Sequence, residues 1–272
     1  MPEGHTLHRL ARLHQKQFAG HEVEVSSPQG RFATGAELVD GRTLLKADAW
    51  GKHLFHRYWP DAVVHVHLGL YGKFEAHTGE VTEPRGAVRM RVVGPTHWTD
   101  LRGAITCEVI TADDVRGVTA KLGPDPLRRD PDPDKAFARI ARSRAPIAGL
   151  LMDQTVVAGI GNVYRCEVLF RHRVDPATPG RALARETWDA IWADLRRLMP
   201  LGVVTGRIVT REDQVEVVEE AMAKGEAPHL TERTSYVYRR TGEPCRVCGT
   251  PVSMRDLAGR KLYWCTVCQT GT

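Results

Sequence analysis

Four cysteines near the C-terminus have the spacing of a metal site: Cys245-x2-Cys248, sixteen residues, then Cys265-x2-Cys268. Each CxxC pair sets two thiolates on one tight turn, and two such pairs complete the tetrahedron that zinc prefers. With all four positions filled by the protein, one structural zinc ion is expected, with no open position for a catalytic water. Cys107 and Cys166 stand apart from this set and read as small buried hydrophobes.

The other end of the chain offers a nucleophile. It opens Met-Pro-Glu-Gly-His, and removal of Met1 exposes Pro2 as a free secondary amine. An α-amino group with a pKa near 8 is roughly 10 to 20% unprotonated at neutral pH, far more than a lysine side chain. Such an amine attacks a carbonyl-like carbon to give a charged imine, and the start of a helix lowers its pKa further. Glu3, beside it, reads as a general acid if burial keeps it protonated. Taken alone, a Met-Pro-Glu start says little.

Weaker signals lie between. His65 and His67 share one face of a strand and could make a two-His metal site, but no third ligand follows at a telling spacing, so ordinary packing or hydrogen bonding is the favoured reading. The run AGIGN (158 to 162) has Arg165 where a dinucleotide loop needs its third glycine, and no strand precedes it. It reads as a tight turn between helices at 148 to 157 and 162 to 170, either a plain corner or one whose amides and Asn162 hold a phosphate. Residues 239 to 272 carry a net charge of +4, which a zinc tetrathiolate reduces to about +2. Arg260 and Lys261 near the tip of a hairpin there either reach a phosphate backbone or are solvated.

The elements that must position these groups follow from pattern. Leu7, Leu10, Ala11 and His14 recur at helical spacing after Pro2. Residues 20 to 120 hold short alternating runs such as HEVEVSS, HLFHRYW and AVVHVHL between Gly, Pro and Asp turns, a β-sandwich or barrel. LGPDPLRRDPDPDKA (122 to 136) contains four of the sixteen prolines and reads as a linker. Beyond it Trp188, Ile191, Trp192, Leu195, Leu198 and Met199 line one helical face, whereas 202 to 235 lacks a clear period and reads as a mobile loop with at most one short helix. The expected domains are 1–121 (β-sandwich), 122–135 (linker), 136–235 (helical) and 236–272 (zinc finger).

Length and charge set the outer bounds. The 272 residues, 42% hydrophobic, bury cores without disulfides, which excludes a disordered or fibrous chain. No run approaches the roughly 18 to 20 apolar residues of a membrane span, and the opening lacks the centre of a signal peptide, so a cytoplasmic protein is expected. A net charge of +5 and a pI of 9.0 mildly favour a polyanionic partner.

Taken in order, MPEGH, WGKHL, LGPDPL, LMDQTVVAGIGNVYRCEVLF and the paired CxxC turns resemble the formamidopyrimidine-DNA glycosylase and endonuclease VIII family over essentially the whole chain. LMDQ, LYGKF and KLYWCTVCQ resemble the endonuclease VIII branch more closely. The resemblance implies an α+β multi-domain fold: an N-terminal β-sandwich with a leading helix, a helix-two-turns-helix bundle and a four-cysteine zinc finger. It implies a bifunctional glycosylase and β,δ-lyase of base excision repair that acts on oxidised pyrimidines in duplex, bubble or single-stranded DNA, the alternatives being the same fold acting on oxidised purines or a non-catalytic protein that binds lesion DNA. No nucleotide cofactor, no membrane and a monomer are expected, with the cytoplasmic protein associated with the nucleoid when bound to DNA.

By the same resemblance Pro2 forms the Schiff base and Glu3 protonates the deoxyribose. Lys52 binds phosphate beside the reacting sugar and donates a proton in β-elimination, Asn162 binds phosphate, and Arg260 grips the flanking phosphates and assists δ-elimination. Glu167 matches a glutamate near the active centre, and Leu70 and Tyr71 match two of three positions that fill the space of an everted base. The third is Gly69, which has no side chain. That departure predicts a preference for bubbles, single strands or abasic sites.

Overall fold

The computed structural model describes residues 2–230 and 234–270, in two compact units that divide between Lys121 and Leu122. The first opens with α1 (Gly4–Phe18), whose buried Leu7, Ala11, His14 and Phe18 keep helical spacing. Then come β1 (Glu22–Ser26), α2 (Ala33–Val39), β2 (Arg42–Trp50), β3 (His53–Tyr58), β4 (Ala62–His67), β5 (Lys73–Thr78), β6 (Met90–Val93), β7 (His97–Arg102), β8 (Thr106–Ile110) and α3 (Ala112–Ala120).

All the strand pairs are antiparallel, in the order β5-β7-β6-β1-β2-β3-β4-β8. β1 makes the corner: Glu22 and Val23 pair with β2, and Glu24 to Ser26 pair with β6. A strand shared in this way folds one sheet into a sandwich. Val23, Val25, Leu44, Leu54, Val64, Met90, Val92 and Leu101 from both halves meet α1 in one core. Alternation is clean in β1, where Val23 and Val25 alone are buried. It fails in β4, buried at four consecutive positions, because α3 brings Val115 over Phe55 and Val63 on the outer face. The sequence reading gives this half as strands after the first helix, and α2 and α3 are additions; α3 carries a legible signal, the capping box of Thr111 and Asp114.

The second unit contains α4 (Pro133–Ile140), α5 (Ile147–Leu150), α6 (Asn162–Arg171), α7 (Arg185–Thr205), α8 (Glu212–Lys224) and the hairpin of β9 (Ser253–Leu257) and β10 (Arg260–Trp264). Three expectations change. The proline-rich segment is packed, with Gly123, Pro124, Asp125 and Pro126 buried and Pro133 opening α4 at its N1 position. The helix expected over 148 to 157 is the single turn α5 followed by hydrogen-bonded turns through Asp153. Within 202 to 235, α7 continues through Pro200 to Gly206 in the left-handed conformation, and α8 runs for 13 residues. Leu201 and Val203 hold the end of α7 in the core, while Val215, Val218 and Ala221 give α8 its own buried stripe. Residues 231 to 233 of that segment lie outside the described residues. Trp188, Ile191, Leu195, Leu198, Val215, Leu262, Tyr263 and Cys265 share one core, so the cysteine module packs directly on the helices.

The α1–β3 contact is polar as well as apolar: His14 Nδ1 and His56 Nε2 lie 2.9 Å apart, both side chains buried, with Phe74 against His14. Burial pushes His56 down to about 4, and burial with the neighbouring His56 holds His14 well below 6.5. The unfolded chain therefore takes up protons near 6.5 while the folded one refuses them. The stability this contributes is complete above pH 6.5 and is lost as pH falls towards about 4. Each such histidine is expected to cost about 1 kcal/mol one pH unit below its unfolded value. Thermal melts should show Tm falling between pH 7.5 and 5, and a flat profile would contradict the assignment.

Candidate active site and zinc centre

In the first unit, Pro2 is half-buried and Glu3 is the N-cap of α1, fully buried, with extended backbone and its carbonyl accepting from Thr6 N at 2.9 Å. The Glu3 side chain makes no capping bond, so its carboxyl group is not spent on the first turn of the helix. Lys52 occupies the second position of a two-residue turn: Trp50 pairs with His53, leaving Gly51 (φ 56°) and Lys52 as the connection. The turn positions the lysine at a strand end rather than within a strand.

Beside Lys52 is a histidine cluster held by packing and hydrogen bonding, as expected for His65 and His67, with two partners the sequence did not indicate. His65 Nε2 lies 2.9 Å from His53 Nδ1 and His65 Nδ1 lies 3.1 Å from Glu108 Oε1, and the His53 and His67 rings are 5.0 Å apart. Burial first, then His65, His67 and Lys52, pushes His53 down to about 3, and burial with Lys52 and His65 lowers His67. The rings next to Lys52 are neutral at physiological pH and add no competing positive charge. The missed partners, His53 and Glu108, lie opposite His67 and His65 in the strand register, a relation no local motif displays.

Leu70 and Tyr71 stand at the tip of the β4–β5 turn, Tyr71 at 86% exposure, and Gly69 adopts φ +68°. The backbone itself thus favours glycine at position 69.

In the second unit, Asn162 is the first residue of α6. Its Nδ2 donates to Lys261 O at 2.8 Å, and its Oδ1 accepts from the Arg165 guanidinium. The side chain thereby links the GIGN turn to the cysteine hairpin. Gln154 shapes the same turn, donating to Met152 O and Ile160 O and accepting from Gly159 N, each at 2.9 Å. Glu167 is fully buried: one oxygen accepts from Thr210 Oγ1 and Tyr236 N, the other from Val237 N and Tyr238 N, at 2.5 to 2.9 Å. These contacts make it the anchor of the 234–238 segment on α6.

Arg260 follows the Ala258–Gly259 turn of the β9–β10 hairpin, with φ of 50° and 70° at the two turn residues. Its guanidinium has no acidic partner among the described residues.

The four cysteine sulfurs lie within 4.8 Å of one another, with Cys245–Cys268 at 3.9 Å and Cys248–Cys265 at 3.5 Å. A tetrahedron of zinc–sulfur bonds near 2.3 Å has edges of about 3.8 Å, so the set fits zinc. Val247 N and Cys268 N point at Cys245 Sγ and Cys265 Sγ, as donors to thiolates do. Gln269 ties the site to the helices, accepting from Cys265 N and donating to Val174 O.

Comparisons with known proteins divide along the same units. Residues 1–107 match the formamidopyrimidine-DNA glycosylase N-terminal domain, 122–214 the formamidopyrimidine-DNA glycosylase H2TH domain, and 242–271 the zinc finger found in FPG and IleRS. Endonuclease 8 1 of Mycobacterium tuberculosis (strain H37Rv) is 55% identical over 275 residues, covering 99% of this chain and all of the relative. Formamidopyrimidine-DNA glycosylase of Thermus thermophilus is 31% identical, over 85% of this chain and 84% of its own. Among solved structures, Lactococcus lactis Fpg with abasic-site DNA aligns with a TM-score of 0.80 at 22% identity, covering 98% of this chain and 99% of that one. The MutM (Fpg) protein of Thermus thermophilus aligns with a TM-score of 0.77 at 27% identity, covering 100% of both chains.

Two outcomes follow. Glu167→Ala leaves three backbone amides and a hydroxyl buried without their acceptor, and is expected to destabilise the protein by at least about 3 kcal/mol in denaturant titration. Chelation of zinc should cost DNA affinity in a gel-shift assay, with circular dichroism retaining the strand signal of the first unit.

Proposed function

The chain belongs to the formamidopyrimidine-DNA glycosylase and endonuclease VIII family, and from that premise we infer how its own residues carry out the reaction. It is a DNA glycosylase with abasic-site lyase activity in base excision repair, and its partner is damaged DNA. The observation that carries the residue assignment is the head of α1, where Pro2 precedes a wholly buried Glu3 whose carboxyl group is not used as a cap.

Once Met1 is removed, the Pro2 nitrogen attacks C1′ of the everted nucleotide. The C1′–base bond breaks as the base leaves with the bonding pair and takes up the proton that the Pro2 nitrogen gives up, and Glu3 gives a proton to the deoxyribose oxygen as the ring opens. The result is an iminium between Pro2 and C1′. Loss of a C2′ proton expels the 3′ phosphate and, in a second elimination, the 5′ phosphate leaves. The positive charge of the iminium draws electrons towards C1′ in both steps. Lys52 and Arg260 bind phosphate at these stages, and Asn162 joins them from the start of α6, where amides and the helix dipole favour an anion. Leu70 and Tyr71 enter the vacated stack. The zinc is structural: it holds the hairpin that presents Arg260 and takes no part in bond making.

We assign oxidised pyrimidines as the preferred lesions, supported by the endonuclease VIII character of LMDQ, LYGKF and KLYWCTVCQ. The protein acts as a monomer in the cytoplasm, on nucleoid DNA. No helix among the described residues is long and apolar enough to cross a membrane.

Borohydride trapping of untagged, Met-processed protein on an oligonucleotide with one abasic site tests the assignment. Wild type should give a covalent band and protein with an acylated Pro2 nitrogen none, whereas Glu3→Gln should slow release of an oxidised pyrimidine by about 10²-fold or more. Faster release of a formamidopyrimidine than of an oxidised pyrimidine would overturn the lesion preference alone.

A further inference from the structure

Beside Lys52, three histidines and a carboxylate span three neighbouring strands. His53 opens β3, His65 and His67 lie in β4 and Glu108 in β8, and the register sets His53 opposite His67 and His65 opposite Glu108. The contacts among them have a direction. An ionised carboxylate only accepts, so His65 Nδ1, 3.1 Å from Glu108 Oε1, carries a proton and a neutral His65 has none on Nε2. His53 Nδ1, 2.9 Å from that Nε2, must then be the donor. His53 Nε2 is left as an acceptor, with no hydrogen-bond partner among the described residues. Glu108 therefore sets the tautomer of a ring that it does not touch.

One added proton reverses this order. It arrives at His53 Nε2, and the proton on His53 Nδ1 moves to His65 Nε2. A cationic His65 then donates at both nitrogens, to Glu108 and to His53 Nδ1, and His53 presents an N–H where it presented a lone pair. Without DNA the surroundings hold the neutral order. Burial is the largest cause at all three rings, Lys52 and the neighbouring rings add to it at His53 and His67, and Glu108 favours the cation at His65. Other charges nearby are engaged elsewhere. Asp48, opposite Phe55 in the register, pairs with Lys46, and on α3, which packs over Phe55, Asp113 pairs with Arg116 and Asp114 caps with Thr111. A phosphate held at Lys52 offsets a charge that opposes protonation and supplies one that favours it.

We propose that Glu108 and His65 are positioning residues for the phosphate held at Lys52: acting through His53, they turn the flank of that site from acceptor to donor, so that binding of damaged DNA is coupled to uptake of one proton from solvent. The inference rests on the assignment of Lys52 to phosphate above. Its sign is fixed by linkage: a cluster that binds a proton more readily in the complex than in the free protein makes affinity rise as pH falls. The exposed Glu108 carboxylate stays clear of the DNA contact and acts only as the fixed end of the chain.

Fluorescence anisotropy of a duplex carrying one tetrahydrofuran abasic-site analogue, titrated at pH 8.0 and 6.0 in the same salt, tests this. Wild-type affinity should rise by about tenfold between the two. Glu108→Gln keeps an acceptor for His65 Nδ1 but removes the charge that holds the cation, and His65→Phe breaks the chain. Both should bind within about twofold of wild type at pH 8.0 and gain less than about threefold at pH 6.0. A merely structural role would weaken binding equally at both pH values. Wild type with one affinity at both, or either variant with the full wild-type gain, would overturn the proposal. Lys52→Gln should lose about tenfold in affinity at pH 6.0; if it binds as wild type does, the phosphate assignment of Lys52 fails, and this inference with it.

Discussion

A chain end frays unless something holds it, so a terminal amine becomes a useful nucleophile only when the residues behind it are fixed. That constraint organises the first unit. Glu3 is entirely removed from water, and α1 carries Leu7, Ala11, His14 and Phe18 into the sandwich core. The His14–His56 contact adds a polar tie to β3, the strand whose first residue follows Lys52. Pro2 is therefore one residue from a buried anchor, and Lys52 leads directly into a strand of the same core. On the assignment proposed above, loosening α1 would disorder the Pro2 amine before any reacting group was altered.

The second unit solves a similar problem with buried polar groups. A carboxylate withdrawn from water is costly unless its lone pairs are taken up, and Glu167 accepts from four donors. Gln154 spends its whole amide on the turn before α6, and Asn162 spends part of its own on the Lys261 carbonyl. Such groups fix backbone positions that apolar packing leaves free to slide. The cost of leaving any one unpaired then makes the arrangement cooperative.

How much of this is legible in one dimension depends on the range of the interaction. The zinc cysteines, the periodicity of α1 and the Trp188 to Met199 stripe are local, and sequence spacing displays them directly. α8 is equally local, with Val215, Val218 and Ala221 at helical spacing before Gly225, but its charged residues obscure the period. The role of Glu167 is not local, since its donors lie 43 to 71 residues away. Nor are the His53–His65–Glu108 chain and the contact of Ile105 with Gly69, which exist only once strand register is set. Gly69 reads in the sequence as a missing side chain; in three dimensions the space is already filled.

The groups assigned to phosphate have a common placement that follows from these supports. Lys52 lies in a two-residue turn after Gly51, Arg260 follows the left-handed pair Ala258 and Gly259, and Asn162 opens α6 after the turn containing Gly159, at φ 90°. A side chain within a strand faces a neighbour or a core, whereas one at a turn projects beyond the sheet while the flanking pairs fix its backbone. Positive-φ residues make such turns short enough to stay rigid. The strands and hairpins serve to hold the turns, and on the assignment proposed above Lys52 and Arg260 are presented with little backbone entropy left to lose on binding, whereas Asn162 is buried and bonded to Lys261 O and the Arg165 guanidinium.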